Sequence, residues 1–144
     1  NVIFGGGMTS KLFQNVREKR GLCYSVDSSY YGAKGILLVN AGIDFDKEET
    51  TREEILRQLQ ACRDGQITDG ELTAAREAIL SSLRAVHDSP GAIESFYTTA
   101  SLSGMCFTRD RYMEAVEQVS AEDVARCAGS LQLHSTYFLK GESQ

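Results

Sequence analysis

From Phe4 to Val26 the chain reads as a glycine break, an amphipathic helix, a glycine stop and a strand, in that order. Gly5-Gly6-Gly7 interrupts regular structure. Leu12, Phe13 and Val16 set an i, i+1, i+4 apolar stripe, which predicts a helix over residues 8–19. Gly21 is placed as its stop, a position that favours glycine. Residues 23–31 alternate. Tyr24 and Val26 face one way and Ser25 and Asp27 the other, the pattern of a half-buried strand.

Residues 32–35 form a turn, and residues 36–41 form a second, more buried strand. The short connection makes the two strands an antiparallel hairpin. Thr51 followed by Glu54 reads as a capping box, with Ile55, Leu59 and Cys62 on the inner face of the helix and Asp64-Gly65 at its end. Thr68 and Glu71 make a second box, and Leu72, Ala75, Ile79, Leu83 and Val86 carry that helix to about residue 87. Ser89-Pro90 starts a third, with Pro at the first helical position. Its stripe is Ile93, Phe96, Tyr97 and Ala100, and Gly104 breaks it. Two short helices are expected over 109–119 and 121–128, the second capped by Ser120, then a last strand over 131–139 and a polar tail. Helices covering one face of an antiparallel sheet give an α+β, two-layer arrangement. No repeat, linker or low-complexity stretch divides residues 1–144, which read as one domain.

A net charge of −5 argues against a phosphate-tracking surface, so nucleic acid is not expected as a partner. The basic cluster of Arg17, Lys19 and Arg20 falls at a helix C-terminus, where cations are favoured anyway. No apolar run approaches the roughly 20 residues of a membrane span, so no membrane partner is expected. Cys23, Cys62, Cys106 and Cys127 form no C-x-x-C pair, and His87 and His134 lie far from them in sequence; zinc-ligand spacing is absent. Cys62 and Cys127 fall on apolar helix faces. These cysteines read as reduced, small hydrophobes of a cytoplasmic protein.

The glycine run matches neither G-x-x-x-x-G-K-S/T nor G-x-G-x-x-G, and a tight turn explains it better than a phosphate loop. Arg17 and Tyr24 stand seven residues apart across the glycine stop. A helix-terminal Arg and a strand Tyr can converge there on one face. They would offer a cationic fork and a phenolic donor, suited to a peptide carbonyl or its oxyanion. The alternative is a solvated Arg and a core Tyr with its hydroxyl at the surface.

The stretch Phe4-Gly5-Gly6-Gly7-Met8-Thr9-Ser10-Lys11-Leu12-Phe13 through Arg17-Glu18-Lys19-Arg20-Gly21-Leu22-Cys23-Tyr24-Ser25 closely resembles the C-terminal, non-zinc half of the inverted-zincin peptidases. This is the M16 family, pitrilysin- and mitochondrial-processing-peptidase-like, here of bacterial type. It matches the family's glycine-rich loop, its S-R/K-L-F/Y helix and its R-E-x-x-G-L-x-Y-S strand. The later signals fit more loosely: the hairpin, Glu71-Leu72 with Ala75-Arg76, the Ser-Pro turn and Gly104.

The resemblance implies a two-layer sandwich of the LuxS/MPP-like metallohydrolase type. It implies that the zinc-binding half, with H-x-x-E-H and a distant Glu, is another domain or subunit. No H-x-x-E-H occurs in this chain, so it is expected to bind no metal and to be inactive alone. Arg17 and Tyr24 occupy the positions of the family's substrate-contacting Arg and Tyr, and Gly5, Gly6 and Gly7 those of its substrate-linked glycine segment. The implied partners are a peptide and an H-x-x-E-H half, in a homo- or heterodimer or in one longer polypeptide. The strand and helix that usually precede the glycine loop are missing, so the chain is expected to be an N-terminally trimmed fragment. The competing expectation is a pseudopeptidase scaffold without proteolytic role. A third is an unrelated glycine-loop ligand module.

Overall fold

A computed structural model of the protein describes residues 1–105 and 108–141. The elements are α1 (Val2–Gly5), a π-helix (Leu12–Lys19), β1 (Ser25–Tyr31), β2 (Ile36–Gly42), α2 (Glu48–Arg63), α3 (Asp69–Ala85), α4 (Pro90–Leu102), α5 (Arg109–Gln118) and α6 (Ala121–Gly129). The fold is α+β: β1 and β2 pair antiparallel from Ser25↔Gly42 to Tyr31↔Ile36, and one face of this hairpin lies on α1 and the π-helix. Val26, Ser28, Leu37 and Val39 point inward on that face. Ile36, Leu38 and Tyr31 stand exposed on the other.

Two cores hold the molecule. Phe4, Leu12, Val16, Cys23, Val26, Cys62 and Ala128 join α1, the π-helix, the hairpin, α2 and α6. Leu80, Leu83 and Val116 join α3 to α5, with Phe96 of α4 against them. Leu12 and Val16 are fully buried, so the apolar stripe read from the sequence is the seam between helix and hairpin.

Local signals place several ends correctly. The Thr68 hydroxyl accepts from the Glu71 N–H, and the Glu71 carboxylate accepts from the Thr68 N–H. Ser120 and Asp123 do the same for α6. Ser89 caps α4 with Pro90 in the first turn, and Gly21, Gly35, Gly65 and Gly104 all have positive φ, which glycine adopts without steric cost.

Other expectations are corrected. Gly5 is not part of the break; it is the last residue of α1, and the chain opens at Gly6. The first long helix starts at Leu12 rather than 8, because the Ser10 N–H turns back to the Gly7 carbonyl at 3.1 Å. Its register is π, not α. Thr51 and Glu54 are no capping box: α2 starts earlier, at Glu48, running on from the turn at Phe45–Lys47, and both side chains are buried in mid-helix. Cys127 is exposed while its neighbour Ala128 takes the buried place; Cys106 lies outside the described residues. Residues 131–139 form no strand. An extended segment becomes a strand only beside a partner edge, and the sheet among the described residues contains β1 and β2 alone.

Gly5 is a tight point between helix and hairpin. A Cβ there would lie 2.5 Å from Ser28 Oγ and 2.8 Å from Leu12 Cδ1. A methyl group must push the hairpin off the π-helix, an overpacking cost of about 1–3 kcal/mol. Gly7 has no atom within 4 Å of the same position. Urea unfolding of Gly5→Ala should show that loss and Gly7→Ala almost none; equal midpoints would contradict this packing.

Candidate functional site

The site is built around the turn at Gly21. With φ at 58°, Gly21 donates to the Arg17 carbonyl at 2.9 Å, and Leu22 donates to the Val16 carbonyl at 3.0 Å. Each bond spans one residue more than in the α-helical Schellman end, as a π register requires. The stop therefore leaves Arg17 in the last turn of the helix and returns the chain directly into the strand.

Arg17 is 39% exposed along its side chain. Its guanidinium sits 4.7 Å above the Phe13 ring and 3.5 Å from the Glu18 carboxylate. An exposed cation–π contact of this kind is worth about 0.5–1 kcal/mol, enough to bias the side chain without fixing it. Tyr24 precedes β1. Its N–H donates to the Gly42 carbonyl at 3.0 Å, and its side chain is 70% exposed, among the most exposed large apolar groups of the molecule.

The expected grouping of Tyr24 with Val26 is not observed. Val26 is buried, whereas the Tyr24 ring lies over Gly42, next to Ser25 on the opposite face of the hairpin. Arg17 and Tyr24 flank the same turn, but no hydrogen bond or ring contact joins them. Cys23 between them is buried. Burial pushes its thiol up, against the opposing charges of Arg17 and Lys47, the direction that disfavours the reactive thiolate. Of the three glycines, Gly5 is buried in packing and Gly6 and Gly7 are exposed.

The turn is held from outside by α2 and by Lys47 just before it, through residues that sequence reasoning assigned elsewhere. The Thr51 hydroxyl donates to the Leu22 carbonyl at 3.3 Å, and Lys47 Nζ to the Gly21 carbonyl at 3.3 Å. Glu54, 1% exposed, receives Arg20 and Arg57 on one carboxylate oxygen and Gln58 Nε2 on the other at 2.6 Å. Gln58 in turn accepts from Asn15 at 2.7 Å, and Asn15 from Lys19 at 2.9 Å. This chain of bonds lies beside an open cleft of about 520 Å³. Burial pushes the Glu54 carboxyl up, but the hydrogen bonds from Arg57 and Gln58 and the charges of Arg57 and Arg20 outweigh it, and the net shift is downward. Lys11 and the capping contacts at Thr68 likewise overcome burial at Glu71 and lower it. A signal for this network existed: Thr51, Glu54 and Gln58 share the inward face of α2 with Ile55 and Cys62.

The turn presents a half-exposed cation at Arg17 and an exposed phenol at Tyr24, with Gly6 and Gly7 exposed at the start of the same segment. Among the described residues no group of three or more His, Cys, Asp or Glu is placed to hold a metal ion, and the donors present do not fit zinc. No described helix is long and apolar enough to cross a membrane.

Comparison with known proteins gives this geometry a family. Residues 1–79, which include the glycine run, Arg17, Tyr24 and all of α2, match the family model for the peptidase M16 inactive domain. A "probable inactive metalloprotease", YmfF of Bacillus subtilis, is 30% identical over 141 residues, 98% of this chain and 33% of that protein. An "uncharacterized zinc protease" of Rickettsia bellii is 30% identical over 133 residues, 90% of this chain and 32% of that one. A conserved protein of Enterococcus faecalis superposes with a TM-score of 0.83 at 28% identity, covering 90% of this chain and 31% of the other. A protease from Helicobacter pylori shares the fold alone, with a TM-score of 0.76 at 18% identity. The chain thus spans about a third of the length of each of these relatives. With its fold and its first half both matched, the chain belongs to the peptidase M16 inactive-domain family.

Proposed function

We propose that this chain is the substrate-binding, non-catalytic part of an M16 zinc endopeptidase, a single domain of a larger assembly. It works beside an H-x-x-E-H half in the same polypeptide or in a dimer partner. The observation that carries this reading is the exposure of Arg17 and Tyr24 on either side of the Gly21 turn. The turn between them is braced by part-buried polar bonds from α2, so the two side chains project from a fixed backbone. Zinc in the other half supplies the Lewis acid and the activated water. This chain's own groups bind and orient the peptide. Arg17 offers a fork of N–H donors to a peptide carbonyl, and Tyr24 offers its hydroxyl to the oxygen on which negative charge develops. Gly7, with no atom within 4 Å of its Cβ position, leaves backbone open to an extended peptide. Cytoplasm is the proposed setting, where unpaired buried thiols such as Cys23 and Cys62 persist.

A second reading is a scaffold subunit without proteolytic role. The relative named as an inactive metalloprotease, matched across 98% of this chain, favours it. Peptide affinity separates the two. If Arg17 holds a carbonyl, Arg17→Ala should weaken binding of a peptide substrate by roughly 10–100-fold, the value of a charge-assisted hydrogen bond. Isothermal titration of the assembled protein reads this directly. Binding that is absent, or indifferent to Arg17, would favour the scaffold.

A further inference from the structure

The structure puts Gly42 in an unusual relation to Tyr24. A Cβ on Gly42 would fall 2.4 Å from Tyr24 Cε2, 2.8 Å from Tyr24 Cζ and 2.7 Å from Ser25 Oγ. The hydroxyl-bearing end of the ring therefore occupies the volume that any other residue at this position would fill. Gly42 does not have positive φ, so no backbone conformation demands glycine here. Nor is the contact part of the core, since the Tyr24 side chain is 70% exposed. Polar bonds from Lys47 and Thr51 brace the turn itself, whereas the ring rests at Gly42, whose carbonyl accepts its own N–H.

We propose that Gly42 is a positioning residue for Tyr24: its missing side chain is the seat that sets where the phenol points. This rests on the substrate-contacting role proposed for Tyr24, and it adds a residue from the far strand of the hairpin to that site. A donor aimed at developing charge loses much of its effect when displaced by an ångström. A methyl group at 42 meets an exposed, rotatable ring, so the ring swings away while the hairpin stays paired. The expected signature is lost catalysis with retained folding.

The test is a double-mutant cycle in the complete protein assembled with its H-x-x-E-H half. Gly42→Ala should lower kcat by roughly 10–100-fold with KM little changed, while the thermal midpoint stays that of the unmutated protein. In a Tyr24→Ala background, where no ring remains to displace, Gly42→Ala should add no further loss. A structural readout accompanies it: the Gly42 Hα resonances, shifted by the ring, should move on Tyr24→Ala substitution. Equal losses from Gly42→Ala in both backgrounds, or full activity of Gly42→Ala where Tyr24→Ala is impaired, would overturn the positioning role and leave the role of Tyr24 standing. Full activity of Tyr24→Ala would overturn both.

Discussion

Replacing Tyr24 by Phe is expected to reduce turnover of the assembled peptidase by on the order of 10²–10³, the usual consequence of removing one donor to a developing oxyanion. The substitution deletes a single hydroxyl. The ring keeps its place over Gly42, and a side chain already 70% exposed loses no buried hydrogen bond. Stability should therefore be untouched, and the thermal midpoint of the variant is the control. The deficit should appear in kcat as well as in kcat/KM, because the bond is strongest in the transition state. Single-turnover cleavage with enzyme in excess measures it. Unchanged turnover would remove Tyr24 from the site, and a loss confined to KM would make it a ground-state contact only.

Glu54→Gln is expected to cost about 2 kcal/mol of stability. Two hydrogen bonds to a charged group are worth roughly 1.5–3 kcal/mol each. Arg20 and Arg57 are half-exposed or more and recover part of this from water. Glu54 itself is buried. An amide there turns an acceptor into a donor facing two guanidinium groups, while its remaining oxygen still serves Gln58. The same residue sets a pH dependence. Its carboxyl is lowered in the folded state, so the folded protein binds fewer protons than the unfolded chain below about pH 4.3, the ordinary value for Glu. The stabilisation is complete above that pH and is lost as pH falls through the folded value. Glu71 has the same direction. Urea midpoints should fall between about pH 5 and pH 3 in the unmutated protein, and less steeply in Glu54→Gln. Parallel pH profiles would show that Glu54 does not carry this term. Because Asn15, Arg20 and Lys19 tie the π-helix into the same network, the variant should also loosen Arg17 and raise KM for peptide.

Much of the fold was legible in short-range patterns. The two strands, their antiparallel turn, the Thr68–Glu71 box, the Ser89-Pro90 start and the Ser120 cap depend on residues within a few positions of one another. Several of the misses involve a partner distant in sequence. Thr51 and Glu54 have the spacing of a capping box, but Leu22 and Arg20 lie opposite them, and the pair serves the π-helix turn rather than a helix start. An i, i+1, i+4 stripe fits an α or a π register equally, and the bonds at Gly21 and Leu22 decide. Alternation put Tyr24 beside Val26, but it could not register that residue 42, opposite Ser25, is a glycine that leaves room for the ring. Residues 131–139 read as a last strand, yet a strand is a property of two segments, and this one has no strand partner among the described residues. The candidate site was legible as two residue types at a spacing. Its bracing from α2 and its seat at Gly42 were not.

Peptide cleavage, with the chain alone and after combination with its H-x-x-E-H half, tests the proposed division of labour most directly. The prediction is no cleavage by the chain alone and chelator-sensitive cleavage by the combination, falling steeply with Arg17→Ala. Cleavage by the chain alone would contradict it, and so would a combined enzyme indifferent to Arg17. A stable combination that cleaves nothing would identify the chain as a scaffold.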